Sequence, residues 1–414
     1  MAREPAGLHA ALDELLREGK FSGAVVVRGR EGLRFARGYG WADPFERRAF
    51  TPETPADSAS LAKPITSAAV LLLIHDRKIE LDAPVQRYLL EYPHSSTSVR
   101  HLLSHSAGLD LKESSEGLAN KSNAELLAAS AAPPFPPGTA FTYCNLCSIT
   151  LALLIERVSG LHYLEFVKAR LAVPSGASLR PQRLVDWRGR AIGYRRKADG
   201  KIERFDSWEG ELLYGAANFS ISATQLADWG SNWWQSWLRP IRQMATTPAR
   251  IGRAHSALTL GNWYCAQDRR RCHYLGHHEG FHHMLYWDAN RRISVAMVSN
   301  NALAPGLQQR LQRALVAFAQ AEPEHARREL GSPMADIQVP LGRFKLESGE
   351  TVEVVVQGER WAVRRGDLDY PAYLIGSGIR YVPGLDAYLS GAPNGRLHWL
   401  TLHEDVYGTA TPKS

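Results

Sequence analysis

The sequence predicts an α+β protein in two parts: a large unit whose helices are enclosed by strands, and a small antiparallel β-barrel after it. Three observations predict this. Strand-like text opens the chain at Phe21 to Arg28 and Leu33 to Tyr39, and returns at Trp263-Tyr264-Cys265 and at Ile293 to Val298. Between these ends, Ser60 to Val173 is dominated by helical text. Beyond Leu330-Gly331-Ser332-Pro333, which reads as a linker, the hydrophobic period changes to two. Residues 1–330 and 331–414 are therefore read as two domains.

Taken in order, residues 8 to 17 form an amphipathic helix with Leu8, Leu12, Leu15 and Leu16 on one side. The turn Gly29-Arg30-Glu31-Gly32 joins the first two strands. Pro64 to Ile74 is a largely apolar run and reads as a buried helix, its proline tolerable in the first turn. Ser148 to Ser159 is a second helix, stopped by Gly160. Residues 174 to 215 are polar and resist assignment. A helix from Ala223 carries Trp229, Trp233 and Trp237 at i, i+4 and i+8, a stripe expected in the core rather than around a ligand. The last helix of the large unit is Pro305 to Ala321. Short strands within residues 350–402, separated by glycine turns, suggest the barrel.

Composition sets further limits. With 414 residues, 44% hydrophobic and 22% charged, the chain has globular values. No apolar run reaches the roughly eighteen residues that cross a bilayer, and no apolar signal core follows Met1, so no membrane contact and a cytoplasmic location are expected. The net charge of +7 is spread along the chain, apart from Arg269-Arg270-Arg271 at a hairpin tip, and nucleic-acid binding is not expected. Cys144 and Cys147 lack the companions of a zinc knot. Cys265 and Cys272 bracket the hairpin tip and could face each other, remaining thiols in a reducing compartment.

The chemistry is carried by three short motifs. Ser60-Leu61-Ala62-Lys63 places a hydroxyl one helical turn before a lysine, so the two share a face and a desolvated lysine can take the serine's proton. Tyr143-Cys144-Asn145 follows Pro137-Gly138-Thr139 and opens the second helix. His278-Glu279-Gly280 lies between paired strands. Together with Ile79 to Val85 and Val99 to Leu109, these motifs in this order resemble the penicillin-recognising serine hydrolases, which include serine β-lactamases, D,D-peptidases and related esterases. The resemblance spans roughly residues 20 to 320 and implies an antiparallel sheet flanked by helices; the appended strands look like the lipocalin-like domain of many such hydrolases.

What the resemblance implies is residue-specific. Ser60 would be the acylated nucleophile and Lys63 its base. Tyr143 would shuttle protons, while Asn145 would hold substrate and Lys63. His278 would stand where many β-lactamases have the lysine of K-T-G, with Gly280 completing the motif. The oxyanion hole would use the amides of Ser60 and Phe281. Gly276-His277 is the alternative anchor, because Gly280-Phe281 follows His278 without the usual spacing. Gly215 to Ser222 resembles a segment bordering the site. No cofactor or metal is expected. The substrate would be a small-molecule or peptide ester or amide, with weak β-lactam turnover and an esterase or D-amino-acid amidase activity.

Three other functions compete with that one. A stand-alone acyl transferase or peptide cyclase of the penicillin-binding-protein-like thioesterase kind shares the motifs. A non-catalytic sensor would have no need of Lys63. A zinc peptidase is spelled by His278-Glu279-Gly280-Phe281-His282, but H-E-x-x-H needs a helix, and on one strand positions 278 and 282 would lie about 13 Å apart. The oligomeric state is not legible.

Overall fold

The computed structural model describes residues 20–109, 121–172, 189–197, 199–206, 213–217, 220–234, 238–252, 254–278, 280–303, 305–320, 337–358, 360–374, 378–382, 385, 387–401 and 405–411, with residues 10, 13 and 14. Most of the amphipathic helix expected over 8–17, Trp237, Glu279 and the linker near 330 lie outside the described residues.

Eight antiparallel strands build the large sheet: β1 (Gly23–Gly29), β2 (Gly32–Tyr39), β3 (Pro248–Ile251), β4 (Ala254–Thr259), β5 (Tyr264–Cys265), β6 (Arg271–His278), β7 (Phe281–Asp288) and β8 (Ile293–Ser299). Their order is β2-β1-β8-β7-β6-β5-β4-β3, so the first strands close against the last ones, as Val25 opposite Met297 shows. Side chains alternate across such a sheet, and here both faces are buried. Ala24, Val26, Leu285, Ala296 and Val298 join the main core. Val25, Val27, Met284, Val295 and Met297 meet Leu307, Leu311 and Leu315 from the helix Pro305–Ala319.

Helix α1 (Ala62–His75) runs through the main core, buried from Ala62 to Leu73. A helix with apolar residues on every face belongs inside, and α1, whose few buried polar groups are hydrogen-bonded there, packs against α2 (Asn145–Ser159). The left-handed Gly160, φ 72°, ends α2 as expected. The described members of the tryptophan stripe, Trp229 and Trp233, are core: Trp233 stacks on Trp287 at 5.7 Å and meets Trp229 and Trp263 edge-on, all four buried.

The C-terminal strands close into an eight-stranded antiparallel barrel: β9 (Gly342–Leu346), β10 (Thr351–Gln357), β11 (Arg360–Arg365), β12 (Leu368–Leu374), β13 (Arg380–Val382), β14 (Ala387–Ala392), β15 (Arg396–Leu400) and β16 (Asp405–Ala410). Closure removes the exposed edges of a small sheet. Both cysteine pairs are disulfides; Cys265 and Cys272 face each other as expected but are bonded, where a reducing compartment would have kept them thiols. Cys265 and Cys272 are direct cross-strand partners, and Cys144 and Cys147 sit one turn apart at the start of α2. No described helix is long and apolar enough to cross a membrane.

Candidate active site

Ser60 sits in a single turn, Ala59–Leu61, that leads directly into α1. Ala59 has φ 45°, in the left-handed region that a β-carbon disfavours, so the turn that presents the serine is strained. Pro64 falls in the first turn of α1, where it forfeits no intrahelical bond. The Ser60 hydroxyl accepts two hydrogen bonds, from Lys63 Nζ at 2.9 Å and from Tyr143 Oη at 2.8 Å. Lys63 is 1% exposed, and burial on that scale demands partners for its charge. It also donates to the Ala216 carbonyl at 3.1 Å and stands 5.0 Å from the Tyr143 ring centre.

The segment carrying Ala216 can thread past α2 only because Gly215 has no side chain. At φ 97°, a Cβ there would come within 2.3 Å of the Ser148 carbonyl oxygen. The Gly215–Ser222 stretch singled out in the sequence thus borders the serine through Ala216. Asn145 does not hold Lys63. It lies exposed in the first turn of α2, and the carbonyl of Ala216 takes the bond foreseen for it.

Burial drives the Tyr143 phenol upward, but the Lys63 charge and hydrogen bonds with Lys63, Ser60 and Tyr274 outweigh it, leaving the phenol below its ordinary value. A cavity of about 200 Å³ opens beside these groups, lined by Ser60, Tyr143, Tyr264, Tyr274, Leu275 and His277, with Tyr381 added from the barrel.

The third motif is where the structure departs from the sequence reading. His278, Gly280 and Phe281 do not line the cavity. They form the end of the β6–β7 hairpin, where His278 pairs with Phe281. The Gly280 amide donates to the Phe205 carbonyl at 3.0 Å, and Phe281 is fully buried against Gly193. The His278 Nδ1 is 4.0 Å from Asp57 Oδ2, and burial followed by the charge of His283 pushes its imidazole down to about 3. His278 and His282 therefore lie on opposite arms of a hairpin rather than along one strand, and His282 is paired with His277. No group of three His, Cys, Asp or Glu suited to a metal occurs among the described residues.

Four positions earlier on β6, the geometry fits the serine. Tyr274 Oη donates to Tyr143 Oη at 3.5 Å. A Cβ on Gly276 would sit 3.1 Å from the Ser58 carbonyl oxygen and 3.4 Å from Ala59 Cβ, so the bare glycine lets β6 approach the serine turn. The Ala266 amide bonds the Arg271 carbonyl across the β5 side, and by antiparallel alternation the amides of residues 273, 275 and 277 face that same side. β5 covers this edge only as far as Tyr264, so the Leu275 and His277 amides face the open edge beside the cavity. The sequence signal for this strand was slight: Tyr274-Leu275-Gly276, an aromatic two residues before a glycine.

The His277 side chain is held from behind. Gln308 Nε2 donates to its Nε2, His282 Nδ1 donates to Gln308 Oε1 at 2.7 Å, and Tyr381 meets its ring edge-on. Burial pushes His277 down to about 3, so it presents a neutral imidazole.

Antiparallel sheet, central apolar helix and serine–lysine–tyrosine cluster together define a class, the penicillin-recognising serine hydrolases. The sequence signature of the Beta-lactamase family matches residues 8–319, and the chain belongs to that family, whose esterase and peptidase members are serine hydrolases. Among its relatives, Esterase EstB of Burkholderia gladioli is 32% identical over 196 residues, 41% of this chain and 50% of that one. Penicillin-binding protein 4* of Bacillus subtilis is 26% identical over 178 residues, 41% and 40% of the two chains. A D-aminopeptidase of Brucella anthropi is 32% identical over 162 residues, 37% and 31%. The matches thus span half or less of these relatives' lengths. In fold, the octameric penicillin-binding protein homologue of Pyrococcus abyssi superposes with a TM-score of 0.65 at 18% identity, covering 97% of this chain and 99% of that one. SurE superposes with a TM-score of 0.63 at 22% identity, covering 97% and 98%.

Proposed function

We propose that the protein cleaves an ester or amide through an acyl-Ser60 intermediate, as an esterase or D-amino-acid amidase. One observation carries this reading: Ser60 Oγ receives both Lys63 and Tyr143 at hydrogen-bond distance beside an open cavity. The esterase and D-aminopeptidase relatives support the choice of bond.

In the proposed reaction Tyr143, held low by Lys63, takes the serine proton as Oγ attacks the carbonyl. This moves the base from Lys63, the sequence expectation, to its partner, with Lys63 supplying charge. The oxyanion would rest on the amides of Ser60 and His277, since Phe281 is committed to the hairpin end. Tyr143 then returns the proton to the leaving group, and water repeats the sequence from the other side to release the acid.

The test is labelling with a fluorophosphonate probe, read by intact mass. A single adduct on the wild type and none on Ser60→Ala, with both folded, is the expected result. Equal hydrolysis of p-nitrophenyl acetate by Ser60→Ala would overturn the serine mechanism.

A further inference from the structure

Behind Tyr143, a buried imidazole that does not line the cavity is held by two segments of the chain, residues 142–144 and Asn262. His105 is fully buried and its ring lies parallel to that of Tyr143, 5.1 Å between centres and 5° between planes. Its Nδ1 accepts the Cys144 amide at 2.9 Å, inside the second motif itself. That fixes the tautomer, because Nε2 must then carry the hydrogen it shares with Asn262 Oδ1 at 2.6 Å. Asn262, also buried, donates at 2.7 Å to Ser67 Oγ. Ser67 stands on α1 one turn beyond Lys63. Finally, the Thr142 amide donates to the His105 carbonyl at 2.9 Å. The backbone of His105 is itself in the left-handed region, φ 53°, and so is that of Asn262, φ 58°. Two adjacent buried polar residues in disfavoured conformations persist only where the surroundings require them.

We propose that His105 is a positioning residue for the reaction: it sets the Tyr143 phenol over Ser60 and ties the second motif, through Asn262 and Ser67, to the helix that carries Lys63. The stacked ring fixes the plane of Tyr143, the Nδ1 bond fixes the start of α2, and the Asn262 bridge keeps both in register with α1. Because both imidazole nitrogens are occupied, the ring is neutral, and burial holds it there at about 4. It thus adds no charge behind the phenol. The titratable groups that face Tyr143 are Lys63 from α1, Tyr274 from β6 and His105, with the Ser60 hydroxyl between them.

The inference rests on Ser60 being the nucleophile, and its test separates the two. The second-order rate of fluorophosphonate labelling is followed against pH for wild type and His105→Asn. Asparagine tolerates a positive φ and places an acceptor near Nδ1, but removes the stacked ring and the reach to Asn262. The labelling rate is expected to fall by about tenfold or more, in the range for a displaced general base. Its rising limb should move up by about half a pH unit or more, as the phenol leaves Lys63 and burial pushes it higher. A purely structural role would reduce the labelled fraction and leave the limb where it was; that outcome overturns the proposal. If His105→Asn does not fold, Ser67→Ala cuts the same chain at its far end, and an unmoved limb there overturns it equally. Failure of the wild type to label at Ser60 would instead defeat the serine reading itself.

Discussion

Ser60 has two partners of different origin, and the difference explains what a sequence can disclose about it. Lys63 is three residues away on the same helical face, so its bond to Ser60 follows from helix geometry alone. Tyr143 arrives from 83 residues further along and is placed by tertiary packing; only its short motif marks it in the string. Because burial raises the phenol and Lys63 pulls it below its ordinary value, the pair makes a signed prediction. Activity should rise with pH as Tyr143 loses its proton, and Tyr143→Phe should lower kcat by about 10²-fold and erase that limb. Lys63→Met should leave the limb present but displaced to higher pH, since burial is then opposed only by the hydrogen bonds with Ser60 and Tyr274. A pH–rate profile of each variant checks this; wild-type rates at pH 7 for Lys63→Met would remove lysine from the mechanism.

At the scale of elements, β6 shows why the third motif was misplaced. The letters H-x-G at His278 fit a pattern, but which residues of a strand face the serine is set by register against its neighbours. The pairing of His278 with Phe281 spends His278 and Gly280 on the hairpin end, and brings Tyr274 and Gly276 to the serine turn. The central helix and the barrel were legible because each rests on local periodicity, and the Ser60–Lys63 contact because it rests on helix spacing. The hairpin register was not, nor was the Ala216 carbonyl that replaces Asn145 at Lys63, since both are tertiary. The two placements predict opposite mutant series. Tyr274→Phe should slow acylation, and His277→Ala should change substrate preference while its backbone amide remains. His278→Gln and Glu279→Gln should keep near-wild-type kcat, and activity should survive EDTA. Loss on chelation together with a dead Glu279→Gln would instead restore the H-E-x-x-H reading.

The whole molecule buries imidazoles on both sides of its serine turn, and this shapes its response to acid. His105 and His283 are pushed down to about 4, and His277 and His278 to about 3, in each case chiefly by burial. The unfolded chain returns each to roughly 6.5, so below that pH the unfolded state binds protons that the folded state refuses. Stability from these groups is therefore fully present above about pH 6.5 and is lost as pH falls toward their folded values, each adding a slope approaching about 1.4 kcal/mol per pH unit. Carboxylates held low by arginine partners, such as Asp82 beside Arg100, act in the same direction but only at lower pH. The interval from pH 7 to 5 thus belongs to the histidines. Urea unfolding at pH 7.5, 6 and 5 should show the midpoint dropping progressively, and His283→Gln should flatten the decline if its fold survives. A midpoint constant from pH 7.5 to 5 would mean that these rings are protonated in the folded protein, and the neutral plate behind Tyr143 would go with them.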